Sequence, residues 1–176
     1  MLQTTPVFFW MDSSIRFHTS NITTILNTIL EPAEGALIFE RTRHPNAWVT
    51  WPKMYEYLPT NISQQLKTHS AASTMLYMNT RANYENFMHW HILCALVQDC
   101  IAPTNKLYCN FKLQPKVTCH RFDMSSLNLL LSNYHGFNST KYILSARETL
   151  LAHRGDTGLG NLKEYNRLVK STSVAT

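Results

Sequence analysis

The chain has 176 residues, enough for one substantial core and too few for a second complete domain. With 44% hydrophobic and 15% charged residues it lies far from disordered compositions, and no stretch reaches the ~18–20 apolar residues of a membrane span. The net charge of +5 is spread over scattered basic residues, with no Lys/Arg block and no basic stripe interleaved with aromatics. Nucleic-acid binding is therefore not expected, whereas a mildly basic surface suits an anionic substrate such as a phosphate.

Residues 1–6 have neither a basic n-region nor a long apolar run, so no secretory signal is read there. Residues 7–10, VFFW, form a short apolar run ending in Asp12-Ser13-Ser14, the pattern of a buried strand with a polar tip. Thr19 or Ser20 caps an expected helix in which Ile22, Ile25, Leu26, Ile29 and Leu30 recur at helical spacing. Pro32 and Gly35 stop it, and residues 36–39 read as the next strand. The chain is expected to be extended across residues 48–51. Pro52 then opens a short helix through Tyr57, and Asn61 caps another that ends near His69.

Residues 73–78 read as a strand. Asn83 is the expected cap of a helix whose stripe comprises Tyr84, Phe87, Met88, His91, Ala95 and Leu96, ending near Gln98. A second strong helix is expected over residues 123–131, with Asp123 as its N-cap. Gly136 and Asn138 break that pattern, and residues 142–144 read as a late strand. Strands alternating with helices give an α/β class: one domain over residues 1–152, followed by a polar, flexible tail over residues 153–176.

Cys94, Cys100, Cys109 and Cys119 lie within 26 residues of each other, spaced C-x5-C-x8-C-x9-C, unlike the close pairs of zinc sites. An even local cluster fits one or two disulfides and an oxidising compartment, with three pairings open if all four join. Buried free thiols are the alternative. N-x-S/T sequons at Asn21, Asn61 and Asn138 are no more than the composition yields by chance.

Few residues invite chemistry. Asp12 stands at the end of a strand, where open α/β sheets place ligand groups and where a carboxylate offers hard oxygens to Mg or Mn; it equally suits a turn cap. Asp123 opens a helix, either as a cap or as an acceptor or general base for a substrate hydroxyl. Arg121 offers a bidentate grip on phosphate, or a surface ion pair, and His120 offers a proton or a metal ligand, or a structural hydrogen bond. His89 and His91 lie two apart on one helix and face different sides, so both are read as structural. Residues 153–156, HRGD, read as a solvated loop, because Gly158-Leu159-Gly160 lacks the dinucleotide fingerprint. There is no nucleophile elbow, and Cys94 looks buried. Trp48 and Trp51 are candidate faces for stacking sugar rings, while Trp90 is expected in the core.

Taken together, these landmarks carry a resemblance. Residues 7–17, VFFWMDSSIRF, are similar to a V-W-x-D-S-S-I-R-F strand-end motif of an animal protein family, expanded in nematodes, of unknown function. That family resembles the GT-A nucleotide-diphospho-sugar transferases. Residues 50–58, the CALxxxCIAP segment beginning at Cys94 and the HRFDxS segment beginning at His120 follow in the family's order. The resemblance spans residues 7–135 and implies the carboxyl-terminal part of an incomplete GT-A-like, Rossmann-like sheet with flanking helices. Nucleotide-binding strands are then expected ahead of Val7.

It further implies a nucleotide-sugar donor, a glycan or protein acceptor, a divalent cation (Mn or Mg) at Asp12, and a secretory-pathway setting. His120 and Asp123 would lie on the catalytic side, with Arg121 on the substrate. Two departures stand out: Asp12 is followed by serines, so no D-x-D pair is present, and Met124 replaces the family's usual amide. A non-catalytic module that binds glycans or partners is the competing expectation.

Overall fold

The computed structural model describes residues 7–13, 15–17, 23, 37–38, 42, 44–68, 72–113, 115–143 and 152–154. The helix expected between residues 19 and 31 falls outside them, apart from Thr23, as does everything after Arg154.

Mixed helices and strands are confirmed. β1 (Val7–Met11) pairs antiparallel with β4 (Thr74–Met78), from Val7 opposite Met78 to Met11 opposite Thr74. β3 (Leu37–Ile38) lies on the other side of β4, with Leu37 opposite Leu76, so the order is β1-β4-β3. All five residues of β4 are buried. Its TMLYM sequence has no polar alternation, as suits a central strand covered on both faces. β2 (Ile15–Phe17) pairs antiparallel with β5 (Ala152–Arg154), so His153 and Arg154, read as loop, belong to a strand.

Two local expectations are corrected by tertiary hydrogen bonds. The stretch expected to be extended at residues 48–51 is instead a 3-10 helix over Asn46–Val49. The Asn46 side chain donates to Thr68 Oγ1 at 3.1 Å, and the Asn46 carbonyl accepts from Thr50 Oγ1 at 2.8 Å, curling a sequence of strand-like propensity. Beyond it come the short helices α1 (Met54–Tyr57) and α2 (Ile62–Gln65), the latter capped by Asn61 as expected. The next helix is capped by Thr80 rather than Asn83. Thr80 Oγ1 accepts the Asn83 N–H at 3.1 Å, while the buried Asn83 amide turns back to the Met78 carbonyl at 2.8 Å.

From that cap run α3 (Arg81–Asn83), a π turn (Tyr84–Met88) and α4 (His89–Ala95). A π turn takes one extra residue and so rotates everything after it by about 100° relative to a regular helix. Phe87, Met88 and Cys94 are buried, but Tyr84 and Leu96 of the expected stripe are exposed. Trp90, expected in the core, is 49% exposed.

After α5 (Gln98–Ile101) and a 3-10 turn (Phe111–Leu113) comes α6 (Phe122–Tyr134), which is buried continuously from Ser125 to Ser132. A helix apolar on several sides belongs at the centre of a core. Leu127, Leu129, Leu130 and Leu131 pack there with Met54, Met75, Tyr77, Phe87 and the Cys94–Cys100 disulfide. The buried hydroxyls of α6 are all paired; Ser125 Oγ donates to the Val49 carbonyl at 3.0 Å and Ser132 Oγ to Leu129 at 3.0 Å. Gly136 at φ +58° and Phe137 at +63° end the helix in the left-handed region. A 3-10 turn (Ser139–Lys141) follows; of the late strand expected at 142–144, Tyr142 lies in a turn, Ile143 forms a bridge, and residue 144 is outside the described residues.

The cysteines form two disulfides, Cys94–Cys100 and Cys109–Cys119, and these suit an oxidising environment. Among the described residues no helix is long and apolar enough to cross a membrane.

Leu129→Ala should lower stability by about 2–5 kcal/mol in a denaturant titration, whereas Leu96→Ala should change it by less than about 0.5 kcal/mol. Replacing both Cys109 and Cys119 by Ser opens a ten-residue loop closure and should cost about 3 kcal/mol, read from the same titration.

Candidate functional site

The end of β1 and the start of α6 meet at a cleft of about 330 Å³ lined by Asp12, Ala72, Ser73, Leu107, His120, Arg121, Phe122, Asp123 and Met124. Four residues singled out from the sequence, Asp12, His120, Arg121 and Asp123, therefore converge across more than a hundred positions of chain.

Each wall has a physical origin. On one side, the Asp12 N–H donates to the Ser73 carbonyl at 2.8 Å, extending the β1–β4 ladder by one rung. The Asp12 carbonyl accepts from Ile15 N–H at 2.9 Å, closing a tight turn in which Asp is a favoured first residue. On the other side, the Arg121 N–H donates to the Val49 carbonyl at 3.0 Å. Phe122 then sits at φ +34°, a conformation that costs a non-glycine residue on the order of 1–3 kcal/mol. That kink turns the chain from the His120–Arg121 strip into α6, and Phe122 packs edge-on against His120 with ring centroids 5.5 Å apart.

His120 is fully buried. Its Nδ1 accepts the Trp51 N–H at 3.1 Å, which requires the proton to sit on Nε2, and Nε2 donates to the Ile101 carbonyl at 3.0 Å. Burial lowers its pKa below 6.5, only partly opposed by the Ile101 hydrogen bond. With both ring nitrogens engaged, His120 has no lone pair for a metal and no proton to shuttle. In this arrangement His120 braces the cleft that it lines.

Asp123 is not the N-cap. The cap position is Arg121, without a side-chain cap bond, and Asp123 occupies the first turn with its carboxylate accepting the Met124 N–H at 2.8 Å. There it meets the positive end of the helix. The exposed Arg121 guanidinium makes no ion pair with any described residue. It does act on its surroundings: the half-buried His44, stacked on Phe111 at 4.7 Å, has its pKa lowered first by burial and further by Arg121.

His91, set aside as structural, lies beside the site. Its Nδ1 is 2.9 Å from Ser126 Oγ, and its pKa is lowered by burial while Asp123 pulls it upward. The three residue types suggest a triad, but the geometry excludes one. Ser126 is fully buried, and its hydroxyl donates to the Asp123 backbone carbonyl at 3.1 Å, so it is no accessible nucleophile.

Trp48 and Trp51 do not line the cleft. Lys106 covers one face of Trp51 at 5.1 Å, and the Trp48 indole nitrogen is buried within the protein, so neither presents an open platform beside Asp12. Ser73, Leu107 and Phe122 were missed. Only the position of Ser73 just ahead of an apolar strand hinted at a place near Asp12.

Among the described residues no group of three or more His, Cys, Asp or Glu side chains is placed to hold a metal ion. Asp12 and Asp123 are the acidic residues of the cleft lining, and together they do not make a cage for a resident cation. No family model, no curated protein and no solved structure matches the chain.

His44, His91 and His120 all have folded pKa values lowered from 6.5. The unfolded chain therefore takes up protons first, and stability is fully present above pH 6.5 and is lost as pH falls below it. Melting temperature should decline from neutral pH towards about pH 5, and His120→Asn should flatten that decline. The same variant, by leaving the Trp51 N–H and Ile101 carbonyl unpaired, should lose about 2–4 kcal/mol at neutral pH. A melting profile equally steep in the variant would assign the acid sensitivity elsewhere.

Proposed function

We propose that the cleft takes the sugar–diphosphate part of a nucleotide-sugar donor, and that the chain is a glycosyltransferase-like protein of the secretory pathway. The observation that carries this reading is the convergence of a cation without an ionic partner among the described residues, Arg121, with two carboxylates, Asp12 and Asp123, in one small cleft. A guanidinium suits phosphate oxygens, and carboxylates suit vicinal sugar hydroxyls. The resemblance of the Asp12 and HRFDxS motifs to the GT-A-like family supports the same chemistry, and the two disulfides agree with the setting. About 330 Å³ is at the small end for ligand pockets and fits a sugar phosphate better than a whole nucleotide.

In this reading Arg121 holds the diphosphate and Asp12 accepts from donor hydroxyls. Asp123 orients the acceptor hydroxyl and takes its proton as the new C–O bond forms at the anomeric carbon. The bond from that carbon to the diphosphate oxygen breaks, and the nucleoside diphosphate leaves. No step is assigned to Mn or Mg, because the cleft carboxylates do not cage an ion.

One observation favours a second reading, a glycan- or partner-binding module without catalysis. Among the described residues, the imidazole that lines the cleft, His120, is locked by two hydrogen bonds, which leaves the carboxylates of Asp12 and Asp123 as the groups to move a proton. Thermal shift with a series of nucleotide sugars, with and without Mn, separates the possibilities. Stabilisation abolished by Arg121→Gln supports donor binding. Transfer that falls by about 10²–10⁴ in Asp123→Asn, with stabilisation retained, supports the enzyme. Donor stabilisation without transfer to any acceptor leaves the binding module, and no stabilisation by any donor removes the donor-binding reading.

A further inference from the structure

Beyond the cleft rim at Leu107, residues 105–113 and 115–116, among them a 3-10 turn (Phe111–Leu113), present an unusual surface. Leu107, Tyr108, Phe111 and Leu113 are 50%, 92%, 42% and 54% exposed. Single exposed apolar side chains are ordinary, but four within seven positions are not. Lys106, Lys112 and Lys116 are interleaved with them and exposed, and from Cys100 to Phe122 the sequence has no Asp or Glu. Lys112 and Lys116 make no ion pair with any described residue.

The segment is also held in place. The Cys109–Cys119 disulfide closes it, the Asn110 N–H donates to Thr118 Oγ1 at 2.9 Å, and the Lys116 N–H donates to the Leu113 carbonyl at 3.0 Å. At its base the His120 N–H donates to the Lys106 carbonyl at 2.9 Å. Its apolar side chains are thus presented to solvent by a cross-linked scaffold, which lowers the ordering cost of docking.

We propose that this loop docks the protein peripherally on an anionic lipid surface. The pairing of chemistries selects the partner. A soluble acidic polymer would satisfy the lysines and leave Tyr108 and Leu113 in water. At a bilayer, aliphatic and aromatic side chains enter the boundary between headgroups and acyl chains, while lysine stems reach back to the phosphates. Among the described residues no helix is long and apolar enough to cross a membrane.

The test is co-sedimentation of the disulfide-intact protein with phosphatidylcholine vesicles, with and without phosphatidylserine. Binding should require phosphatidylserine and weaken with added salt. Lys112→Gln and Lys116→Gln should each reduce the partition coefficient roughly fivefold, and Tyr108→Ser with Leu113→Ser about tenfold or more. Ile62→Ser, which changes an exposed apolar residue elsewhere, should bind like the unchanged chain, and circular dichroism should show every variant folded. Equal binding by folded loop variants, or retention on heparin without sedimentation on any vesicle, would overturn the proposal.

Discussion

The structure depends on a neutral imidazole buried with both nitrogens paired. His120 joins three segments that share no other regular element: its ring bonds to the start of the Trp51–Pro52 turn and to the end of α5, and its backbone N–H bonds to Lys106. Inside a protein such bonds are strong because the alternative is an unsatisfied polar group in a low dielectric. The neighbouring Cys119 adds a covalent tie, and the next residue, Arg121, is bonded through its backbone to Val49. Three successive positions, Cys119 to Arg121, are thereby fixed before α6 begins.

That rigidity explains how a strained residue survives at the cleft. Phe122 at φ +34° is tolerated because the chain on each side is held, by His120 and Arg121 before it and by the buried core of α6 after it. The kink lets consecutive side chains serve opposite ends: His120 goes inward as a brace, while Arg121 and Asp123 stand at the solvent-facing mouth. Function-bearing groups are thus carried on a strip whose own stability is supplied by its neighbours, a common division of labour between a site and its supporting shell.

Sequence patterns revealed the parts that depend on local signals. β1 and β4 are short apolar runs bounded by polar residues, α6 is too apolar for a surface helix, and Asn61 sits where a cap belongs. Asp12, Arg121 and Asp123 were legible as candidates because strand ends and helix starts are where ligand groups gather. What stayed hidden is tertiary. A hydrophobic period cannot reveal a π turn, which takes Tyr84 off the buried face, and the general preference of tryptophan for the core does not hold at Trp90. Four evenly spread cysteines admit three pairings, and only the approach of Cys109 to Cys119 decides among them. The locked tautomer of His120 depends on Trp51 and Ile101, remote residues that no spacing rule connects to it.

The pairing of β2 with β5 has a consequence in time. Ile15, one short turn beyond Asp12, lies opposite Arg154, so the Asp12 side of the cleft leads directly into a strand whose partner comes from the far end of the described chain. Contacts that close such long loops form late, after their entropy has been offset by local structure. During synthesis the α6 side can assemble as soon as its own core residues have emerged. β2 must wait for Ala152–Arg154, so Asp12, whose N–H is bonded to Ser73 beside the β1–β4 ladder, stands between a pairing that can form early and one that can form only after α6 has been made.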